Sequence, residues 1–197
     1  MTDGEEKGAN FIKIQDATAN PAPLGLLAFG MTTVMLNLHN AGIFALGSTI
    51  FAMGIFYGGI AQIIAGLMEW KKNNTFGTTA FISYGIFWLS LVGLIVMPTF
   101  GLSAAPPKEA LVSYLAIWGL FTFVMWIITF RLSKALQVVF GLLTLLFLLL
   151  IAGNALGNVM ILQIAGVEGI ICGLSAMYSG LGQVMNEVYR ENVINLG

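Results

Sequence analysis

The sequence predicts an all-α integral membrane protein with six transmembrane helices, and three observations lead there. Of its 197 residues, 58 % are hydrophobic and only 9 % charged, with a mean hydropathy of +0.90. A soluble domain carries about 25 % charged residues to face water. Six apolar runs are each long enough to cross a bilayer, which takes about 20 helical residues, and none contains Asp, Glu, Lys or Arg. Once six crossings are drawn, nearly all basic residues fall on one side.

The elements follow in order. Residues 1–19 carry Asp3, Glu5, Glu6, Lys7, Lys13 and Asp16 and read as a flexible cytoplasmic tail. They are not expected to be a signal peptide, because the first apolar run is full length and lacks an adjoining basic region. Residues 20–189 are expected to form one six-helix transmembrane domain, opening with Asn20, Pro21, Ala22, Pro23, Leu24 and Gly25. Pro23 disfavours the α region at Ala22, so the first helix is expected to begin near Pro23. The spans are Leu24 to Ala41, Ser48 to Met68, Phe76 to Met97, Leu111 to Phe130, Ala135 to Gly153 and Gly169 to Asn186. Ser48 and Thr75 are candidate N-caps. Pro98 closes the third span, Pro106 and Pro107 break the chain before the fourth, and Gly153 loosens the end of the fifth. The stretch from Asn154 to Gly166 is too short to span and is expected to be a loop with one half-helix against the membrane face. Residues 190–197 form a C-terminal cytoplasmic tail.

With six spans, both termini share a side with Lys7, Lys13, Lys71, Lys72, Arg131, Lys134 and Arg190, while Lys108 alone lies opposite. The positive-inside rule then places both termini in the cytoplasm of a cell whose plasma membrane holds the chain.

Composition excludes several functions. Eight Lys and Arg against nine Asp and Glu leave no cationic surface for nucleic acid. A single cysteine, Cys172, and a single histidine, His39, exclude a disulfide framework and the usual multi-residue metal sites, and they argue against acid–base catalysis. No Walker-type phosphate loop occurs, so a nucleotide-driven pump is disfavoured. The reading is of a non-enzyme with no cofactor and no metal.

The spans contain helical stripes. Gly54, Gly58 and Gly66 repeat every four residues with Gln62 in the missing place; Cys172, Ala176 and Gly180 form another stripe, with Gly169 and Gly173 beside it. Small residues at this spacing let helices approach closely, and packing accounts for most of them. Gln62 favours a solute path along its own stripe, because an amide at membrane depth needs a partner or water. In the first span Gly25, Phe29, Thr33 and Asn37 form a mixed stripe, with Thr32, His39 and Asn40 beside it. Asn37 and Asn40 suit interhelical hydrogen bonding as well as solute contact, and His39 suits either a satisfied interfacial imidazole or a proton sensor. Ser83, Tyr84, Thr122, Thr144, Ser175, Tyr178 and Ser179 are the other polar residues at depth, and all are neutral. Glu69 and Glu187 lie at the cytoplasmic ends and Glu168 at the outer end of the sixth span. A wall of hydroxyls and amides suits a small uncharged or weakly anionic solute. The unpaired N–H groups at the start of the first helix are further candidates to attract a carboxylate.

The opening segment from Asn20 to Leu26 resembles the signature of the acetate uptake transporter family, which includes bacterial succinate–acetate permeases and related fungal acetate and ammonia-export proteins. The similarity extends through Phe29 to Thr33, Leu36 to Asn40, Met53 to Gln62, Asn74 to Gly77, Ser83 to Gly85, and Phe87 with Trp88. It runs from Asn20 to about Glu187 in the same six-span order. The resemblance implies a six-helix protomer with its own pore, assembled as a homo-hexamer and passing acetate, with succinate and other short carboxylates as further substrates. It also implies an apolar constriction of Phe29, Tyr84 and Leu143. Candidate substrate-facing residues are Gln62, Thr32, Thr33, Asn37, Asn154 and Ala176, and the candidate entry motif is Asn20, Pro21, Pro23 and Gly25.

The leading expectation is therefore acetate transport, channel-like or proton-coupled. A proton travelling on the acid itself needs no membrane carboxylate, so pH dependence is expected to follow the solute, with His39 the only candidate switch. A channel for a small neutral solute such as urea or an amide has similar wall chemistry and is the alternative. A non-transporting scaffold is a third reading, disfavoured by Gln62, Asn37 and Tyr84 at membrane depth.

Overall fold

A computed structural model describes residues 18–197; most of the expected N-terminal tail, residues 1–17, lies outside the described residues. Six helices are long and apolar enough to cross a membrane. They are α1 (Ala22–Asn40), α2 (Ser48–Lys71), α3 (Thr75–Thr99), α4 (Lys108–Thr129), α5 (Lys134–Leu156) and α6 (Val159–Tyr189).

Their ends differ from the expected ones in instructive ways. The first helix starts at Ala22 with Pro21 as its N-cap, and Pro23 sits in the first turn, where a missing N–H costs nothing. Asn74, not Thr75, caps α3: its side chain accepts from the Gly77 N–H. Gly47 precedes α2 in extended conformation, so Ser48 is the first helical residue and not a cap. Pro98 lies within the last turn of α3, which ends at Thr99.

The expected loop and half-helix between Asn154 and Gly166 do not form. Helix α5 continues to Leu156, Gly157 turns with a φ of 62°, and α6 starts at Val159. The Asn154 side chain bonds the Leu150 carbonyl within its own helix, which keeps it helical. The Asn158 carboxamide then caps α6 by accepting from the Met160 and Ile161 N–H groups. A left-handed glycine followed by a capping asparagine is a complete stop and restart. Helix α6 consequently has 31 residues, about 46 Å at 1.5 Å per residue. Glu168 thus lies inside a helix and not at its end; it is only 9 % exposed, and neither carboxylate oxygen has a partner among the described residues.

The helices close a ring in the order α1, α2, α3, α4, α5, α6. Backbones approach closely between α1 and α6, α5 and α6, α4 and α5, α2 and α3, and α1 and α2. Large side chains join α3 to α4: Phe87 meets Trp118 edge-on with centroids 5.2 Å apart and stacks on Tyr114 at 5.8 Å. The Ser90 and Tyr114 hydroxyls are 2.7 Å apart.

Glycines determine where backbones touch. A Cβ on Gly173 would fall 2.6 Å from the Gly30 carbonyl oxygen, and one on Gly30 equally close to the Gly173 oxygen. A Cβ on Gly169 would overlap the Asn37 carboxamide, and one on Gly166 the backbone at Asn40 and Ala41. Helix α2 carries a different device. Residues Met53–Ala61 are π-helical, and the strict four-residue stripe breaks there. Gly54 and Gly58 still face Trp88 of α3, and Gly58 also faces Thr32 of α1. The C-terminal segment folds back on the bundle: Asn186 exchanges two hydrogen bonds of 2.8 Å with the Ile194 backbone, and the Ala135 N–H donates to the Leu196 carbonyl.

Candidate functional site

Two cavities lie inside the ring, and Phe29 and Leu143 line both. The larger, about 300 Å³, extends from these two side chains to Leu46, Pro106 and Asn154, at the loop side of the bundle away from the termini. The smaller, about 20 Å³, lies on the other side of the pair. Leu26, Phe81, Val139 and Phe140 enclose it, with Gln62 and Tyr84 as its polar members. Phe76 and Phe140, with ring centroids 5.3 Å apart, fill the bundle further toward the termini.

The small chamber is built from four helices. Phe29 of α1 and Tyr84 of α3 meet with centroids 5.9 Å apart, and Tyr84 also touches Phe140 of α5 at 6.1 Å. Gly25, one turn before Phe29, leaves room for the Phe81 ring, which would lie 2.6 Å from a Cβ there. Gln62 of α2 is 1 % exposed and begins the α-helical part that follows the π segment.

The Tyr84 hydroxyl has a defined direction. It lies 2.9 Å from Thr122 Oγ1 on α4. The Thr122 hydroxyl itself donates to the Trp118 carbonyl at 2.8 Å. Threonine has a single O–H proton, so Tyr84 donates to Thr122 and keeps only lone pairs for any other neighbour.

Polar groups of the larger cavity cluster on one face of α1. Asn37 donates to the Thr33 carbonyl at 2.9 Å and accepts from Asn40 at 2.9 Å. His39 Nδ1 lies 3.0 Å from the Phe44 carbonyl, an acceptor only, so Nδ1 carries the proton and ties the α1–α2 loop to the helix end. Three buried polar atoms around the dividing pair have no partner among the described residues: Thr33 Oγ1, Trp88 Nε1 and Gln62 Oε1.

Phe29, Tyr84 and Leu143 converge on one chamber, and Gln62 joins them there. Thr33, Asn37 and Asn154 line the larger cavity. Thr32 and Ala176 are not where a solute-facing role expects them. Thr32 donates to the Met53 carbonyl of the π segment at 3.5 Å, and Ala176 is fully buried in the apolar core. Neither residue lines either of the two cavities. Asn20 is also a structural clamp. Its amide donates to Gln183 at 3.1 Å and Glu187 at 2.7 Å on α6, and its oxygen accepts from the Ala22 N–H. Reading the sequence missed Trp88 and Thr122 as site residues. Thr122 was visible as a hydroxyl at depth, but only the fold pairs it with Tyr84, 38 residues away.

Comparison with known proteins agrees with this architecture. Residues 7–193 match the model of the GPR1/FUN34/yaaH family. The succinate-acetate/proton symporter SatP of Escherichia coli is 56 % identical over 179 residues, covering 91 % of this chain and 95 % of that protein. Acetate permease A of Emericella nidulans is 32 % identical over 183 residues, covering 84 % of this chain and 61 % of the fungal one. A solved structure of the bacterial acetate channel SatP superposes with a TM-score of 0.90, at 56 % identity over 91 % of this chain and 99 % of that one. This chain belongs to the GPR1/FUN34/yaaH family.

Proposed function

We infer that this protein transports acetate across a membrane, with succinate and other short carboxylates as additional substrates, along the path of two cavities in each protomer. The carrying observation is the shared pair Phe29 and Leu143, which separates about 300 Å³ of cavity from a chamber of about 20 Å³. With Tyr84 they form an apolar neck that tests solute width and sheds water. Thr33, Asn37 and Asn154 guide the solute toward the neck, and Gln62 meets it beyond. The names of the Escherichia coli and Emericella relatives support acetate as the solute.

The distribution of lysine and arginine supports termini in the cytoplasm. The large cavity then opens to the outside, and the aromatic packing of Phe76, Phe81 and Phe140 closes the inner end. Extensive exposed apolar faces on α4 and α6, including Ile117, Leu120, Ile164 and Ile171, suit both lipid and neighbouring protomers, and the family resemblance supports a homo-hexamer.

Uptake of labelled acetate into proteoliposomes tests the reading, with labelled urea as comparison. Protein-dependent acetate flux exceeding urea flux is expected. Urea flux without acetate flux would overturn it in favour of a neutral-solute channel.

A further inference from the structure

We propose that the outer groove of α6 around Glu168 binds the primary-amine headgroup of a membrane phospholipid, in the leaflet opposite the termini. The site lies outside both cavities and does not depend on what passes through them.

The groove holds about 530 Å³ and runs along the face of α6 that the other helices leave uncovered. Glu168 and Gln163 are its polar side chains, and Ala41, just past the end of α1, borders it. Glu168 is nine-tenths buried, and neither carboxylate oxygen has a donor among the described residues. An ionised carboxylate left so at membrane depth is costly, and a cation bearing N–H groups relieves that cost. No Lys, Arg or His lines the groove. Among the described residues Lys108 is the only Lys or Arg at this end of the bundle, and it starts α4, two places round the ring. The negative end of the α1 dipole, at Ala41, adds to the same potential from the other border. The groove therefore suits a cation supplied from outside the chain.

Depth selects a lipid as the source. Helix α1 has 19 residues, about 28 Å at 1.5 Å each, which matches a hydrocarbon core of about 30 Å. Its end at Asn40 marks the boundary with the headgroups. A Cβ on Gly166 would overlap the backbone at Asn40 and Ala41, so α6 crosses that boundary near Gly166. Gln163 then lies on the headgroup side and Glu168 just inside the core. Val167 and Ile171 give the groove an apolar wall, and Leu174 extends this exposed face deeper into the membrane. A phosphoethanolamine headgroup fits the arrangement: its ammonium donates to Glu168, its phosphate accepts from the Gln163 amide, and an acyl chain lies along Val167, Ile171 and Leu174. The Glu168 oxygens are covered by protein, but the side chain borders the groove, and turning it brings an oxygen to the headgroup. A choline head has no N–H to donate and is too bulky to reach the same place.

The test offers the full chain, purified in detergent, equal amounts of dioleoyl phosphatidylethanolamine, phosphatidylcholine and phosphatidylglycerol, and reads the retained lipid by native mass spectrometry. Phosphatidylethanolamine is expected to be retained roughly tenfold over the other two, as one charge-assisted hydrogen bond provides. Glu168→Gln keeps the side-chain shape, removes the charge and should abolish the preference. Val167→Trp fills the groove without touching Glu168 and should abolish it too, while Ile117→Trp on the outer face of α4 should not. Equal retention of the three lipids, or a preference that survives Glu168→Gln, would overturn the inference. Thermal protection by free ethanolamine equal to that by the lipid would overturn it in favour of a soluble amine. Loss of the oligomer in Glu168→Gln, with no lipid preference in the unmodified protein, would overturn it in favour of a second copy of the chain. Should Glu168→Gln fail to insert, the preference of the unmodified protein and its loss in Val167→Trp still decide.

Discussion

The α1–α6 seam and the α3–α4 wall meet the same demand, holding two helices side by side in lipid, by opposite means. Along the seam, Gly30, Gly166, Gly169 and Gly173 bring backbones into contact and leave no space between the helices. Along the wall, Tyr84, Phe87, Tyr114 and Trp118 hold the helices apart with rings and hydroxyls. Lipid gives no hydrophobic drive for helix association, so close packing and interhelical hydrogen bonds do the work. The seam uses packing and makes a solid edge. The wall uses rings and hydrogen bonds, and its inner surface is where Tyr84 lines the small chamber. In this molecule small residues build the frame and large ones line the cavities.

The largest expected effect comes from filling the seam. Gly169→Leu places a side chain where the Asn37 carboxamide sits, between the backbone contacts made at Gly166 and Gly173. Overpacking of this kind costs about 1–3 kcal/mol and more where backbone blocks relaxation. The protein is expected to be lost from the membrane or to elute as aggregate on size-exclusion chromatography in detergent. A monodisperse Gly169→Leu protein with normal thermal stability would mean that the seam is looser than described.

A smaller effect is expected from the wall. Thr122→Val keeps the shape but removes the acceptor of the fully buried Tyr84 hydroxyl bond. Leaving such a group unpaired costs about 1–3 kcal/mol. The melting temperature in detergent should fall by several degrees, with the fold kept. No change in melting temperature would show that Tyr84 has another acceptor.

At the neck the readout is function and not stability. Leu143→Ala widens the passage between the two cavities at a cost of about 2–5 kcal/mol for a buried leucine, toward the low end beside existing space. Uptake of butyrate relative to acetate should rise in proteoliposomes. An unchanged ratio would place the width filter elsewhere.

Much of the frame is legible in the sequence, because the bilayer demands long apolar helices and the runs show them directly. Two features were hidden. The Gly157–Asn158 turn lies in a stretch that reads as a loop because it is too short to span by itself, whereas the Asn154 amide bonds one turn back and extends the helix before it. The π segment of α2 has no apolar signature at all, since register changes in a helix leave composition untouched. In the small chamber, Gln62 stands out in the sequence as an amide among glycines. Phe29, Tyr84 and Leu143 came from resemblance, because three residues on three helices share no spacing. Thr32 and Ala176 fall outside the linings of both cavities, because a sequence gives a stripe without saying which neighbour it faces.

One measurement bears most directly on the claim that solute passes Leu143. The native thiol, Cys172, is fully buried beside the Val139 carbonyl, so unmodified protein should resist a small water-soluble thiol reagent. Leu143→Cys places a thiol in the neck, and Ile117→Cys places one on an outer face that is 69 % exposed. The account predicts that the reagent abolishes acetate uptake by Leu143→Cys and spares both the unmodified protein and Ile117→Cys. Labelling of Leu143→Cys, confirmed by mass, with acetate uptake undiminished would contradict it.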